Sequence, residues 1–119
     1  MHNRPKFPRI SIVIITAFVF TVSCVNHELS QYTCTTTVSF ATDVNPIIAS
    51  KCAIPDCHNG SLGDDRDWRQ VARFQAHKTL VKEYTRNHIM PPAESTEGPL
   101  TEDQINTLSC WVDQGAQNN

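Results

Sequence analysis

Apolar and polar positions divide the chain into three unlike stretches. Residues 10–22 form an apolar run of 13, interrupted only by Ser11, Thr16 and Thr21. Residues 25–39 turn polar and threonine-rich, which predicts a tether passing into an extended arm. Beyond Phe40 the pattern becomes periodic. Val44, Ile47 and Ile48 recur at i, i+3 and i+4, so they share one face of a short helix predicted over residues 40–50. Asp43 or Asn45 can cap it, and Pro46 suits its first turn. Residues 59–65 are rich in turn formers. A second helix is predicted from a cap at Asp67 through Trp68, Val71 and Ala72 toward Tyr84. Met90-Pro91-Pro92 cannot extend it, because a residue before proline is driven to extended geometry. The clearest helix covers residues 101–114. Thr101 and Gln104 make a capping box, Glu102 and Asp103 favour the first turn, and Gly115 ends it. Ile105, Leu108, Trp111 and Val112 share one arc, with Cys110 well round on the polar side.

The residues before the apolar run include Arg4, Lys6 and Arg9 and no acid. A basic start followed by a short apolar run is the pattern of a secretory signal peptide. A bilayer-crossing helix needs roughly 20 residues, so a permanent span is the weaker reading. The run ends at Thr21-Val22-Ser23-Cys24, which resembles the lipobox of bacterial lipoproteins, with Thr21 where that family usually has leucine. The resemblance implies a signal peptide over residues 1–23, removed, and a diacylated Cys24 as the new first residue. Residues 24–39 then become a lipid-anchored tether and arm. The alternative is ordinary cleavage nearby.

Such processing leaves 96 of the 119 residues, with all 12 acidic residues and seven of the ten basic ones, for a net charge of −5. No basic patch points to nucleic acid. A domain this small buries only about 60% of its unfolded surface, so a crosslink or a cofactor is expected as part of its core. Nothing resembles a Ser-His-Asp set, a phosphate loop or a paired-carboxylate site, and no enzyme activity is expected.

Candidate chemistry lies in Cys52-Ala53-Ile54-Pro55-Asp56-Cys57-His58. Two thiols can add to the two vinyl groups of one haem, and a histidine directly after the second can bind the iron. The common spacing is C-x-x-C-H; here it is C-x4-C-H, so the longer loop must bulge, with turn-compatible Pro55 and Asp56 at its middle. One assignment uses all five cysteines: lipid on Cys24, haem on Cys52 and Cys57, and a disulfide between Cys34 and Cys110. The rival is two disulfides, one of them Cys52–Cys57, beside a lipidated Cys24. A disulfide from an outward Cys110 to an arm crossing the last helix suits the first assignment.

From about Cys34 to the C-terminus the sequence resembles the class I cytochrome c domains of bacterial lipoproteins, including those with widened attachment motifs. The resemblance rests on residues 40–47 before the motif, His58-Asn59-Gly60, Met90-Pro91-Pro92, Leu100-Thr101 and residues 111–116, in that order. It implies an all-α fold over residues 40–119, of three or more short helices around one covalent haem c. It also implies thioethers at Cys52 and Cys57, His58 as proximal ligand and Met90 as distal ligand. His77 and His88 are rival distal ligands. Trp111 is expected near the haem edge. A zinc site from Cys52, Cys57, His58 and His77 is the other metal reading, weakened because adjacent Cys57 and His58 make awkward co-ligands.

The resemblance implies electron transfer with redox proteins as partners, no small-molecule substrate, and a place in the bacterial cell envelope facing the periplasm or cell surface. The alternatives are a haem-based gas or redox sensor, and an accessory haem lipoprotein of a larger membrane complex.

Overall fold

The computed structural model describes residues 31–119. The apolar run, Cys24 and His27 lie outside the described residues. Those described are helical with no strand; their one β-bridge pairs Asn59 with Asp67. The helices are α1 (Asn45–Ile47), α2 (Val71–Ala76), α3 (Lys78–Arg86) and α4 (Glu102–Asp113). None is long and apolar enough to cross a membrane.

Widened helical turns extend α1 on both sides, at Phe40–Val44 and Ile48–Cys52. They flank Pro46, which has no N–H to give the regular ladder. The cap is neither Asp43 nor Asn45. Ser39 takes that place: its hydroxyl accepts from the Thr42 N–H, while its own N–H donates to Asp43 Oδ2 at 2.8 Å. Val44, Ile47 and Ile48 are all buried, so the predicted face holds.

The predicted second helix is instead two helices, and Asp67 caps neither. Its carboxylate accepts from Arg69 Nε at 2.7 Å and Nη2 at 2.9 Å, and α2 begins at Val71 with no side-chain cap. The break between α2 and α3 falls at His77. Its ring Nδ1 lies 2.9 Å from the Arg73 carbonyl, the group its backbone N–H would bond in a continuing helix. That N–H turns to the Phe74 carbonyl instead. Side chain competes with backbone for one acceptor, and the helix stops.

Helix α4 has the predicted capping box: Thr101 Oγ1 accepts from the Gln104 N–H, and Gln104 Oε1 accepts from the Thr101 N–H. Ile105, Leu108 and Trp111 are buried, with Val112 only partly so. They meet Phe40, Val44, Ile48, Phe74 and Val81 in a single core. Phe74 stacks on Trp111 at 5.2 Å, and Phe40 packs on both rings.

Cys110 is buried rather than outward, because the arm covers it. Cys34 and Cys110 form a disulfide with Cα atoms 5.5 Å apart. Gln114 fixes the arm further, accepting from the Val38 N–H and donating to the Thr36 carbonyl. At the head of the arm, the Tyr32 hydroxyl donates to Asp113, which also receives Lys82 Nζ, and Arg86 lies 4.4 Å over the Tyr32 ring.

The disulfide spans 76 positions. A loop of that length is worth ~4.5 kcal/mol in the chain-entropy model, and measured disulfides commonly give about 2–4 kcal/mol. Replacing both Cys34 and Cys110 by serine is therefore expected to lower unfolding free energy by about 2–4 kcal/mol, read from urea titration. An unchanged midpoint would show that the crosslink adds nothing.

Candidate cofactor cavity

The segment around Cys52, Cys57 and His58 closes on itself. After the widened turn at Ile48–Cys52, the Cys57 N–H returns to the Ile54 carbonyl at 3.2 Å. Pro55 stands second in this turn and Asp56 third, with φ at 62°, as a type II turn requires. Both are exposed, so the extra residues bulge into solvent. The His58 N–H then donates to the Cys52 carbonyl at 3.0 Å, and the His58 carbonyl accepts from the Trp68 N–H at 3.0 Å. Gly60, with φ at 86°, lets the loop pass over Asp67 and Arg69; a Cβ there would come within 3.3 Å of both side chains.

Cys52, Cys57, His58 and Met90 line one cavity of about 460 Å³. This lies within the range of small-molecule and cofactor sites, about 300–1,000 Å³. Helix α3 supplies a wall from Leu80, Val81, Tyr84 and Thr85, and Pro91 and Pro92 extend the wall that carries Met90. Leu62, Leu80, Tyr84 and Met90 are large apolar residues left substantially exposed around it. Exposed apolar surface concentrated at a concave site marks a place where something binds.

Burial pushes the Cys52 thiol up to about 12, and the nearby Cys57 adds to the effect. Cys52 is therefore a neutral thiol and lacks the depressed pKa of a catalytic cysteine. Cys52 and Cys57 are not bonded to each other, so the second disulfide of the rival assignment is not formed. The His58 imidazole is held below its ordinary pKa, first by burial and then by the charges of Arg66 and His77, with the Arg66 backbone opposing. That favours the neutral ring, the form that binds metals.

Among the described residues, no group of three or more His, Cys, Asp or Glu is disposed to hold a metal ion. The zinc set of Cys52, Cys57, His58 and His77 is thus not assembled. His77 lines the cavity, its Nδ1 committed to Arg73. His88 does not; its Nε2 lies 3.8 Å from Glu102 Oε1. Trp111 also stays outside the cavity, within the core, its Nε1 donating to the Gln117 carbonyl. The tryptophan at the site is Trp68, whose ring lies 3.5 Å from that of His58 and 11° from parallel. Nothing in the helical periodicity marks this contact. Its one sequence signal is an aromatic within a loop's length of the motif.

Cys52, Cys57 and His58 with Met90 make a donor set of two thiols, one imidazole and one thioether around apolar walls. The residues fit a flat, largely apolar group attached through sulfur and ligated through nitrogen and sulfur. Buried His58 Nδ1 makes no hydrogen bond of ordinary geometry. No family model, curated protein or solved structure matches the chain.

Asp67 is held down to about 2 from 3.8, chiefly by its hydrogen bond to Arg69. A depressed carboxylate stabilises the fold above the unfolded value and stops doing so as pH falls through the folded one. Asp67→Asn should therefore flatten the fall in stability between about pH 4 and pH 2, monitored by circular dichroism. Separately, in the folded Cys57→Ser chain without an attached group, iodoacetamide should label Cys52 over about tenfold more slowly at pH 8 than in urea. Peptide mass mapping reads this, and equal rates would remove the buried neutral thiol.

Proposed function

We propose that the protein is a haem c electron carrier. Cys52 and Cys57 attach the haem, His58 is the proximal ligand and Met90 the distal one. The carrying observation is that these four side chains, from two separate segments, line a single apolar cavity. The haem supplies a one-electron iron couple whose potential is set by its axial ligands and surroundings.

The chain's own residues serve that task in distinct ways. Neutral His58 offers a lone pair. Met90 offers a soft thioether, which favours the ferrous state and raises the potential. The Tyr84 carbonyl accepts from the N–H groups of both Ile89 and Met90, tying the ligand loop to the wall of the cavity. Leu80, Val81 and Pro91 give the cavity apolar wall that the haem would cover. On this reading, residues 40–119 are a cytochrome c domain, residues 24–39 a tether, and lipid on Cys24 the anchor in the cell envelope. The excess of acidic over basic residues steers it toward positively charged faces of redox partners.

A sensor is the second reading. It is favoured by the exposure of Met90, 37%, which leaves that ligand open to displacement. Material exported from a haem-competent host is expected to carry one tetrapyrrole by mass. It should show a thioether-to-iron charge-transfer band, lost in Met90→Ala, and should bind carbon monoxide slowly when reduced. Colourless protein overturns the cytochrome reading. Survival of the band in Met90→Ala removes Met90, and rapid carbon monoxide binding favours the sensor.

A further inference from the structure

We propose that Trp68 fixes the plane of the His58 imidazole by stacking on its face. The consequence for the ligand rests on the proposed haem function; the ring contact does not.

A ligating histidine almost always donates its second ring nitrogen to a carboxylate, a carbonyl or water, which sets the ring orientation and raises ligand basicity. The Arg66 backbone acts on the His58 ring, but its buried Nδ1 makes no hydrogen bond of ordinary geometry. What the ring has is a face. The indole of Trp68 lies 3.5 Å away and 11° from parallel. Rotation about the His58 Cβ–Cγ bond would lift the imidazole out of this stack, so the stack restrains the angle that sets the ring plane.

Trp68 is itself held well enough to act as a reference surface. Its backbone N–H donates to the His58 carbonyl at 3.0 Å, so the two residues are joined by main chain as well as by rings. The indole meets Phe74 edge-on at 5.3 Å, and Phe74 is wholly buried and stacked on Trp111. Adjacent Asp67 is clamped by Arg69 through two hydrogen bonds. A line of aromatic contacts therefore runs from the core to the imidazole. Trp68 is a positioning residue: it acts on the group through His58.

On the proposed reading, the stack restrains the ring plane independently of the contact between His58 and the Arg66 backbone.

The test uses the full haem-loaded chain as wild type, Trp68→Leu and Trp68→Phe. Ferric electron paramagnetic resonance reports the imidazole plane through the g-tensor. Trp68→Leu is expected to shift and broaden the largest g value, and Trp68→Phe, which keeps an aromatic face, to restore it. An unaltered spectrum in loaded Trp68→Leu overturns the proposal, as does a Trp68→Phe spectrum matching that of Trp68→Leu. If Trp68→Leu does not accumulate, or the exported chain carries no tetrapyrrole, nuclear Overhauser contacts decide the matter in wild-type protein. Contacts between the His58 ring protons and the Trp68 indole support the stack even where the haem reading has failed. Their absence overturns it.

Discussion

The closure of residues 52–68 around His58 is the constraint from which the site is built. The His58 N–H is spent on Cys52 and its carbonyl on Trp68, so both main-chain groups are satisfied locally. Each bond adds about 0.5–1.5 kcal/mol net, but leaving either group buried and unpaired would cost about 1–3 kcal/mol. That asymmetry makes the clip hard to open one bond at a time. With its backbone pinned at both ends, His58 has only side-chain torsions left, and the indole limits those. The position of the imidazole is thus an outcome of loop closure more than of helix packing.

The rest of the molecule divides on either side of α3. One face of that helix carries Leu80, Val81, Tyr84 and Thr85 to the cavity, and another carries Lys82 and Arg86 to Tyr32 of the arm. The arm and the cavity therefore load different faces of the same short helix. A helix of nine residues is marginal alone; here Val81 enters the core, and Lys82 is bonded to Asp113 of α4. The disulfide and the Gln114 bonds hold the arm against α4. What the small core cannot bury remains around the cavity, and a bound apolar group would cover it.

Where local chemistry decides the outcome, the sequence was informative. The face of Val44, Ile47 and Ile48, the Thr101–Gln104 box and the stop at Gly115 depend on neighbours three or four residues away. Contacts made across the fold were harder to read. Asp67 looks like a helix cap, but its carboxylate takes the guanidinium and backbone N–H of Arg69, and the helix starts only at Val71. His77 carries no intrinsic breaker tendency, yet its ring displaces its own N–H from the Arg73 carbonyl. Trp111 lies on the apolar arc as expected, and the packing of Phe40 and Phe74 on it places it in the core. Cys110 lies off that arc and is buried nonetheless, because burial depends on what covers a position as well as on helical phase. That Cys52, Cys57 and His58 lie together follows from their spacing; the aromatic surface under His58 does not.

Met90 illustrates how the two walls differ. His58 belongs to a closed loop, whereas Met90 comes just after the end of α3 and is held by the helix it leaves. Tyr84 contributes its carbonyl to the N–H groups of Ile89 and Met90 while its side chain lines the cavity. His88, with φ at 54°, makes the sharp turn between them, a conformation that a non-glycine residue adopts at a cost. The Met90 segment is thus fastened on its helix side, and Pro91 and Pro92 stiffen its other side. If the protein is the proposed electron carrier, this matters, because a ligand that shifts little between oxidation states keeps the reorganisation cost small. On the proposed reading, the exposed thioether side chain combines solvent access with a restrained backbone. The half-buried histidine wall supplies the fixed half of the pair.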